Sequence, residues 1–388
     1  MDDTKKCRKC GETKPTSHFN ASSKAPYGIN PRCAACVNAA RRANTRRKKE
    51  KPEESAGRLL IAAAKKGDLA NVKKLYRRVP DAPLEALIFW TMQAHGPKKE
   101  PSQVKVCNFF LSKGANPNAC FAYGSLLCLA ASVGVGSFVE VLKKHGAKTD
   151  IYSAAAFGDV AGVRSRLKRN QKNAVATDGV GKTALHHCGG SRLWRGDASL
   201  KPKLVQVATL LIDAGADIDA EYDDVLFGSA FCLAASHGGN DDLAQLLLER
   251  GADNTNDRLM YTVLRSVKRH DDEFCRIADL MLEHGTKING NYVDGLNQLY
   301  GQARHEDVQA TKWLLSRGAD IHQRIDDGRT ALHAAADRNV GTKVIAMLLE
   351  AGAEINARDE LGKTPLFYAQ QSEKQRVVDF LTSHGGKL

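Results

Sequence analysis

The feature that most limits what this chain can fold into is a phrase that returns about every 33 residues. A leucine-rich stretch runs into a glycine followed by a small residue: FFLSKGANPN, EVLKKHGAKTD, LLIDAGADIDA, LLLERGADNTN, LMLEHGTKING, WLLSRGADIHQ, MLLEAGAEINA and FLTSHGG. The glycines are Gly114, Gly146, Gly215, Gly251, Gly285, Gly318, Gly352 and Gly385, and the last five lie 36, 34, 33, 34 and 33 residues after their predecessors. The gap from Gly146 to Gly215 is twice as long, and a degenerate copy at residues 152–170 falls inside it. A period of this size marks stacked units, none of which can bury its apolar face alone.

A second phrase precedes each clear helix pair: GKTALHHC at 181–188, GRTALHAA at 328–335 and GKTPLFYA at 362–369. Thr183, Thr330 and Thr364 stand where a hydroxyl can accept from orphan helix N–H groups. Pro365 falls just inside a helix start, where its missing N–H costs nothing. Gly215, Gly251 and Gly352 fall where a left-handed residue ends a helix. These residues resemble the ankyrin-repeat family, most fully over 326–358, and the likeness extends over about residues 57–388. The resemblance implies an all-α solenoid of about ten helix-pair repeats with hairpin fingers, the first four (57–177) being degenerate. It implies that His187 and His333 are structural, because in this family the histidine of the phrase bonds backbone between repeats. It also implies a surface that grips a protein partner.

One repeat is longer than the frame requires. Thr330 and Gly352 are 22 residues apart, whereas Thr183 and Gly215 are 32 apart. The excess is assigned to GSRLWRGDASLKPK, residues 190–203, and a smaller insertion to GPKKEPSQ, residues 96–103. Insertions in such arrays map to surface loops, often on the binding face. The first places Trp194 between Arg192 and Arg195, a composition enriched at binding hot spots. The alternative is that Trp194 folds back and packs on its own repeat. Asp223, Asp224, Asp326 and Asp327, with Asp294, Asp359 and Glu360, lie in the expected fingers. Acidic fingers suit a basic protein surface; turn chemistry is the plainer account.

Ahead of the repeats, residues 1–39 carry Cys7-x-x-Cys10 and Cys33-x-x-Cys36. Two such pairs form thiolate knuckles that can close a tetrahedral structural Zn2+ site. A module this small has too little core to fold by burial, so the metal would supply most of its folding free energy. The phrases KCRKCGETKPTSHF and PRCAACVNAARR resemble the zinc ribbons of phage proteins, some of which precede nucleases of the endonuclease VII type. The histidine-containing nuclease motif is missing here, and repeats follow instead. Residues 40–56 form a basic helix or linker with Arg41, Arg42, Arg46, Arg47, Lys48 and Lys49. Residues 1–55 hold 14 Lys/Arg against 6 Asp/Glu, so most of the chain's net charge of +13 sits in this segment. It suits the phosphate backbone of DNA or RNA, or else it is a solvated charged linker.

No P-loop, nucleophile elbow or H-E-x-x-H motif occurs, so a non-enzymatic binding protein is expected. No run approaches the apolar length needed to span a membrane, and the start of the chain has no hydrophobic signal core; the expectation is a cytoplasmic protein. The expected function is protein–protein interaction through the array, with the N-terminus on a second surface. The phage-like ribbon makes an inhibitor of a bacterial defence complex one concrete form. The alternatives are a nucleic-acid-processing enzyme with an unrecognised site and a host-directed effector or adaptor.

Overall fold

The computed structural model describes residues 4–6, 13–15, 19–21, 29–33, 52–94, 100–121, 124–222, 228–255, 257–267, 271–293, 295–338 and 341–388. From residue 52 onward its helices come in pairs. The first are α1 (Pro52–Lys66) with α2 (Leu69–Tyr76), α3 (Leu84–Gln93) with α4 (Glu100–Ser112), and α5 (Leu126–Val133) with α6 (Gly136–Lys144). Then come α7 (Ile151–Ala156) with α8 (Val160–Arg169), α9 (Ala184–Gly189) with α10 (Leu200–Asp213), and α11 (Ala230–Leu233) with α12 (Asp241–Glu249). A π-helical turn, Ala234–Gly238, continues α11. The last are α13 (Asp257–Val267) with α14 (Asp271–Glu283), α15 (Gln298–Arg304) with α16 (Val308–Ser316), α17 (Ala331–Arg338) with α18 (Lys343–Glu350), and α19 (Pro365–Gln371) with α20 (Gln375–Ser383).

First helices stack on first helices and second helices on second helices along the array. The first, inner helices are alanine-rich where neighbours approach: Ala334, Ala335 and Ala336 are each at most 2% exposed. Larger side chains would hold the helices apart. The core is therefore a ribbon rather than a ball. One apolar cluster runs from Ile151 to Leu381 and another from Leu60 to Leu142. Ala131, Ala156 and Leu193 form a small cluster between them. Short hairpins form fingers between pairs: β5 (Cys120–Phe121) with β6 (Gly124–Ser125), and β7 (Asn291–Val293) with β8 (Leu296–Asn297). Ion pairs cross-link successive outer helices: Arg250–Asp213 at 2.8 Å, Arg276–Asp241 at 2.9 Å and Arg317–Asp279 at 2.7 Å. The first and third are exposed and contribute at most about 1 kcal/mol each, whereas Asp241 is buried and pairs with Lys201 as well; the stacked apolar ribbon dominates.

The local phrase chemistry holds. Thr183 and Thr364 are N-caps, accepting from His186 and Phe367 N–H, and Pro365 opens its helix. Gly352 follows α18 at φ +95°, a left-handed conformation that side chains resist. The histidine assignment is corrected. Counting from Thr183, the phrase's histidine is His186, not His187. The His186 ring Nδ1 accepts from Thr183 N–H at 3.1 Å, and its Nε2 bonds the Gly228 carbonyl of the next unit at 2.8 Å. His333 repeats this with Thr330 at 3.1 Å and the Lys363 carbonyl at 3.1 Å. Burial lowers the pKa of both rings. A neutral ring accepting at Nδ1 and donating at Nε2 is what the two bonds require.

The smaller insertion is also redrawn. Residues 100–103 belong to α4, and the Gln103 amide donates to the carbonyls of Lys65 and Ala94 at 2.8 and 2.9 Å. It ties the turns of the first two pairs together.

Ahead of the array, β1 (Thr4–Lys6) pairs antiparallel with β2 (Thr13–Pro15), and β3 (Phe19–Ala21) with β4 (Ile29–Cys33). Cys7, Cys10 and Cys36 lie outside the described residues, as do Arg41, Arg42, Arg46, Arg47, Lys48 and Lys49.

Candidate interaction surface

Trp194, expected as a presented hot spot, is 7% exposed. It sits in a 3-10 turn, Leu193–Arg195, and its indole N–H donates to the Gly238 carbonyl at 3.2 Å. The Arg195 guanidinium lies over the Trp194 ring at 4.5 Å and over Phe274 at 5.7 Å. On the other side, the Arg192 N–H donates to the Ala131 carbonyl at 2.9 Å, and the Ser191 hydroxyl to the Ala156 carbonyl at 2.6 Å. The Arg–Trp–Arg triplet therefore turns inward. Residues 191–195 of the insertion are a staple reaching from α5 and α7 to α11 and α14, while residues 196–199 stay exposed. Burying a flat amphipathic ring whose N–H has a carbonyl partner is the favourable outcome for tryptophan.

The acidic fingers are largely engaged within the chain. Asp327 accepts from Arg329 Nε at 2.7 Å, and the Asp326 carboxylate lies against Gly295 of the preceding finger. Asp359 is 8% exposed and accepts from Leu361 N–H, Lys363 N–H and the Tyr368 hydroxyl. Asp223, Asp224 and Asp294 lie outside the described residues.

A different tryptophan is presented. On α3, Leu87, Ile88, Thr91 and Met92 are buried, which turns Trp90 outward; it is 41% exposed. The Lys65 ammonium of α1 sits over its ring at 4.2 Å. Its neighbour Phe89 lies 4.9 Å from Phe121 of the β5 finger, centroid to centroid. Leu59 on α1 is 53% exposed. The two inner helices thus place an exposed aromatic ring and a cation against each other, the composition of a binding anchor. The sequence signal for it was available: an apolar run whose helical wheel leaves position 90 opposite the buried stripe.

Deeper along the array lies a charged pair. His187 Nε2 is 2.7 Å from Asp178 Oδ2, with both side chains at most 10% exposed. Burial alone would lower the His187 pKa, but neighbouring Cys128 and Asp178 outweigh it and push it up to about 9. Burial would raise the Asp178 carboxyl, yet its bonds to His187 and to backbone N–H groups hold it below the usual range. Among the described residues no group of three His, Cys, Asp or Glu side chains is arranged to hold a metal. No helix there is long and apolar enough to cross a membrane.

The family model for ankyrin repeats matches residues 299–388 in three copies. Residues 299–388 are ankyrin repeats. The described helix pairs before them continue the same stacking, so the fold is a helical ankyrin-repeat solenoid. The chain is 39% identical over 85 residues to the serine/threonine-protein kinase VIK of Arabidopsis thaliana, covering 22% of this chain and 19% of that one. It is 24% identical over 241 residues to inversin of Mus musculus, covering 61% and 22% respectively. The chain thus spans about a fifth of the length of these curated relatives. Among solved structures, the human ASB11 ankyrin repeat domain aligns over 62% of this chain and 100% of its own, at 22% identity and a TM-score of 0.48.

Proposed function

We propose that this protein is a non-catalytic protein-interaction module whose partner docks on the inner-helix and finger face around Trp90. Ankyrin repeats are interaction modules, and the observation that supports this particular face is the Trp90 ring, 41% exposed beneath the Lys65 ammonium. Tryptophan is enriched among the residues that carry binding energy at protein interfaces. Proteins captured by the full chain from its source cell provide the partner. With that partner, Trp90→Ala weakens binding by about 2 kcal/mol or more while the melting temperature stays put. Full binding by a stably folded Trp90→Ala variant would remove this surface from the account.

The N-terminus is assigned a second role, a structural zinc ribbon leading a phosphate-binding basic segment. The two antiparallel hairpins suit it: residues 7–12, between β1 and β2, contain Cys7 and Cys10, and Cys33 ends β4. Cys7, Cys10, Cys33 and Cys36 would hold the ion, whose part is to tie the two hairpins together. Freshly purified protein is expected to carry one zinc per chain by elemental analysis, and its retention on a DNA column to fall steeply with salt. Metal-free protein, or salt-independent retention, would count against the corresponding half of this assignment.

A further inference from the structure

Charge is divided along the outer helices. The first four, α2, α4, α6 and α8, carry 9 Lys/Arg against 2 Asp/Glu, whereas the six that follow carry 6 against 11. The last turns of α2, α6 and α8 hold Lys73 and Lys74, Lys143 and Lys144, and Lys168 and Arg169, all exposed. Cations there complement the helix dipole. Yet none of the six later outer helices has a basic residue in its last turn, so the fold does not depend on one. Pairing differs as well. The later outer helices are cross-linked through Lys201, Arg250, Arg276 and Arg317. Among the described residues, none of the six early cations has a carboxylate partner. Helices α2, α4 and α6 stack in order, and Arg166 of α8 donates to the Thr149 carbonyl just after α6 at 2.7 Å. With packed helix axes about 8–10 Å apart, the cations form one ridge about 30 Å long.

Like charges gathered unpaired on one face repel and destabilise the fold that gathers them, and a polyanion relieves that repulsion. We propose that this outer ridge docks the phosphate backbone of double-stranded DNA. The proposal rests on the array and stands apart from the N-terminal assignment. Three observations select the occupant. None of α2, α4, α6 and α8 bears an exposed large apolar side chain, so a protein partner would find no anchor there. For the same reason the ridge offers no aromatic platform for the unstacked bases of a single strand. An RNA duplex is held by contacts to 2′-hydroxyls across its shallow groove, whereas a row of lysine and arginine side chains on a convex face reaches phosphates alone. Duplex DNA carries one charge per about 1.7 Å of its axis, so it meets the ridge in any register. Such contacts position the duplex and read no sequence.

The test measures binding of the full chain to a DNA duplex of about 20 base pairs between about 50 and 200 mM salt. Lys73→Gln, Lys74→Gln, Lys143→Gln, Lys144→Gln, Lys168→Gln and Arg169→Gln combined should weaken binding at least about tenfold and flatten the log–log salt slope by about 3 or more. Arginine at the five lysine positions should keep both the affinity and the slope, which separates lost charge from a damaged fold. Lys312→Gln with Lys343→Gln, on later outer helices, should change neither. A separate variant, Arg42→Gln with Arg46→Gln and Lys49→Gln, reports on the N-terminal segment. If that variant loses binding while the ridge variant keeps wild-type affinity and slope, the ridge proposal is overturned and the N-terminal assignment stands. Loss in the ridge variant alone supports the ridge and removes the N-terminal contact. No binding by the wild-type chain, or polyglutamate or an RNA duplex bound more tightly than DNA, also overturns the proposal.

Discussion

Replacing Trp194 by alanine is expected to lower the stability of the middle repeats by about 3–5 kcal/mol, the usual range for truncating a buried large ring. Three losses act together. The ring leaves a cavity beside α11, the Gly238 carbonyl loses its 3.2 Å partner, and Arg195 loses the surface it lies on. The staple also holds the earlier half of the array through Ala131 and Ala156, so its loss should uncouple the two apolar ribbons. Repeat arrays are stabilised through neighbour interfaces and need not unfold all at once. The readout is therefore a denaturation curve that lowers its midpoint and splits, with the 299–388 copies melting last. An unchanged single transition would mean the ring is not buried in solution.

The second large effect concerns His187. Removing it leaves Asp178 buried without its cation, which costs about 3–5 kcal/mol. The pair also sets a pH dependence whose sign follows from the shift. The folded-state pKa of about 9 lies above the ordinary value of 6.5, so the folded protein binds this proton more tightly than the unfolded chain. Its contribution is whole below about pH 6.5 and is lost as pH rises through 9, amounting to about 3 kcal/mol. Denaturation midpoints at pH 6.5 and pH 9.5 should differ accordingly, and His187→Gln should flatten the difference. A wild-type midpoint that is flat over this interval would show that His187 is not protonated in the fold.

The repeat, its caps and its turn glycines were legible in the sequence because each is set by chemistry within a few residues: a threonine three positions before a helical N–H, a glycine where φ turns positive. The histidine role was legible as well, but at His186. The role belongs to the third residue after the threonine, whose ring alone can reach both its own cap and the next unit. The fate of Trp194 was not legible. An Arg–Trp–Arg insertion reads alike whether it faces water or a neighbour. Its acceptor, the Gly238 carbonyl, is presented by a π-helical turn that no local phrase announces. Trp90 lay open to a helical-wheel reading. The insertion drew attention from it because length anomalies are more conspicuous than a ring on the wrong side of an apolar stripe.

The measurement that bears most directly on the whole account is hydrogen exchange of the protein alone and bound to its captured partner. The outer helices offer an alternative surface, a groove of about 330 Å³ between α14 and α16 lined by Asp272, Lys312, Trp313 and Arg317. The account expects added protection on α1, α3 and the β5–β6 finger around Trp90, with α14 and α16 exchanging as before. Protection gained on α14 and α16, with α3 and the finger unchanged, would contradict it.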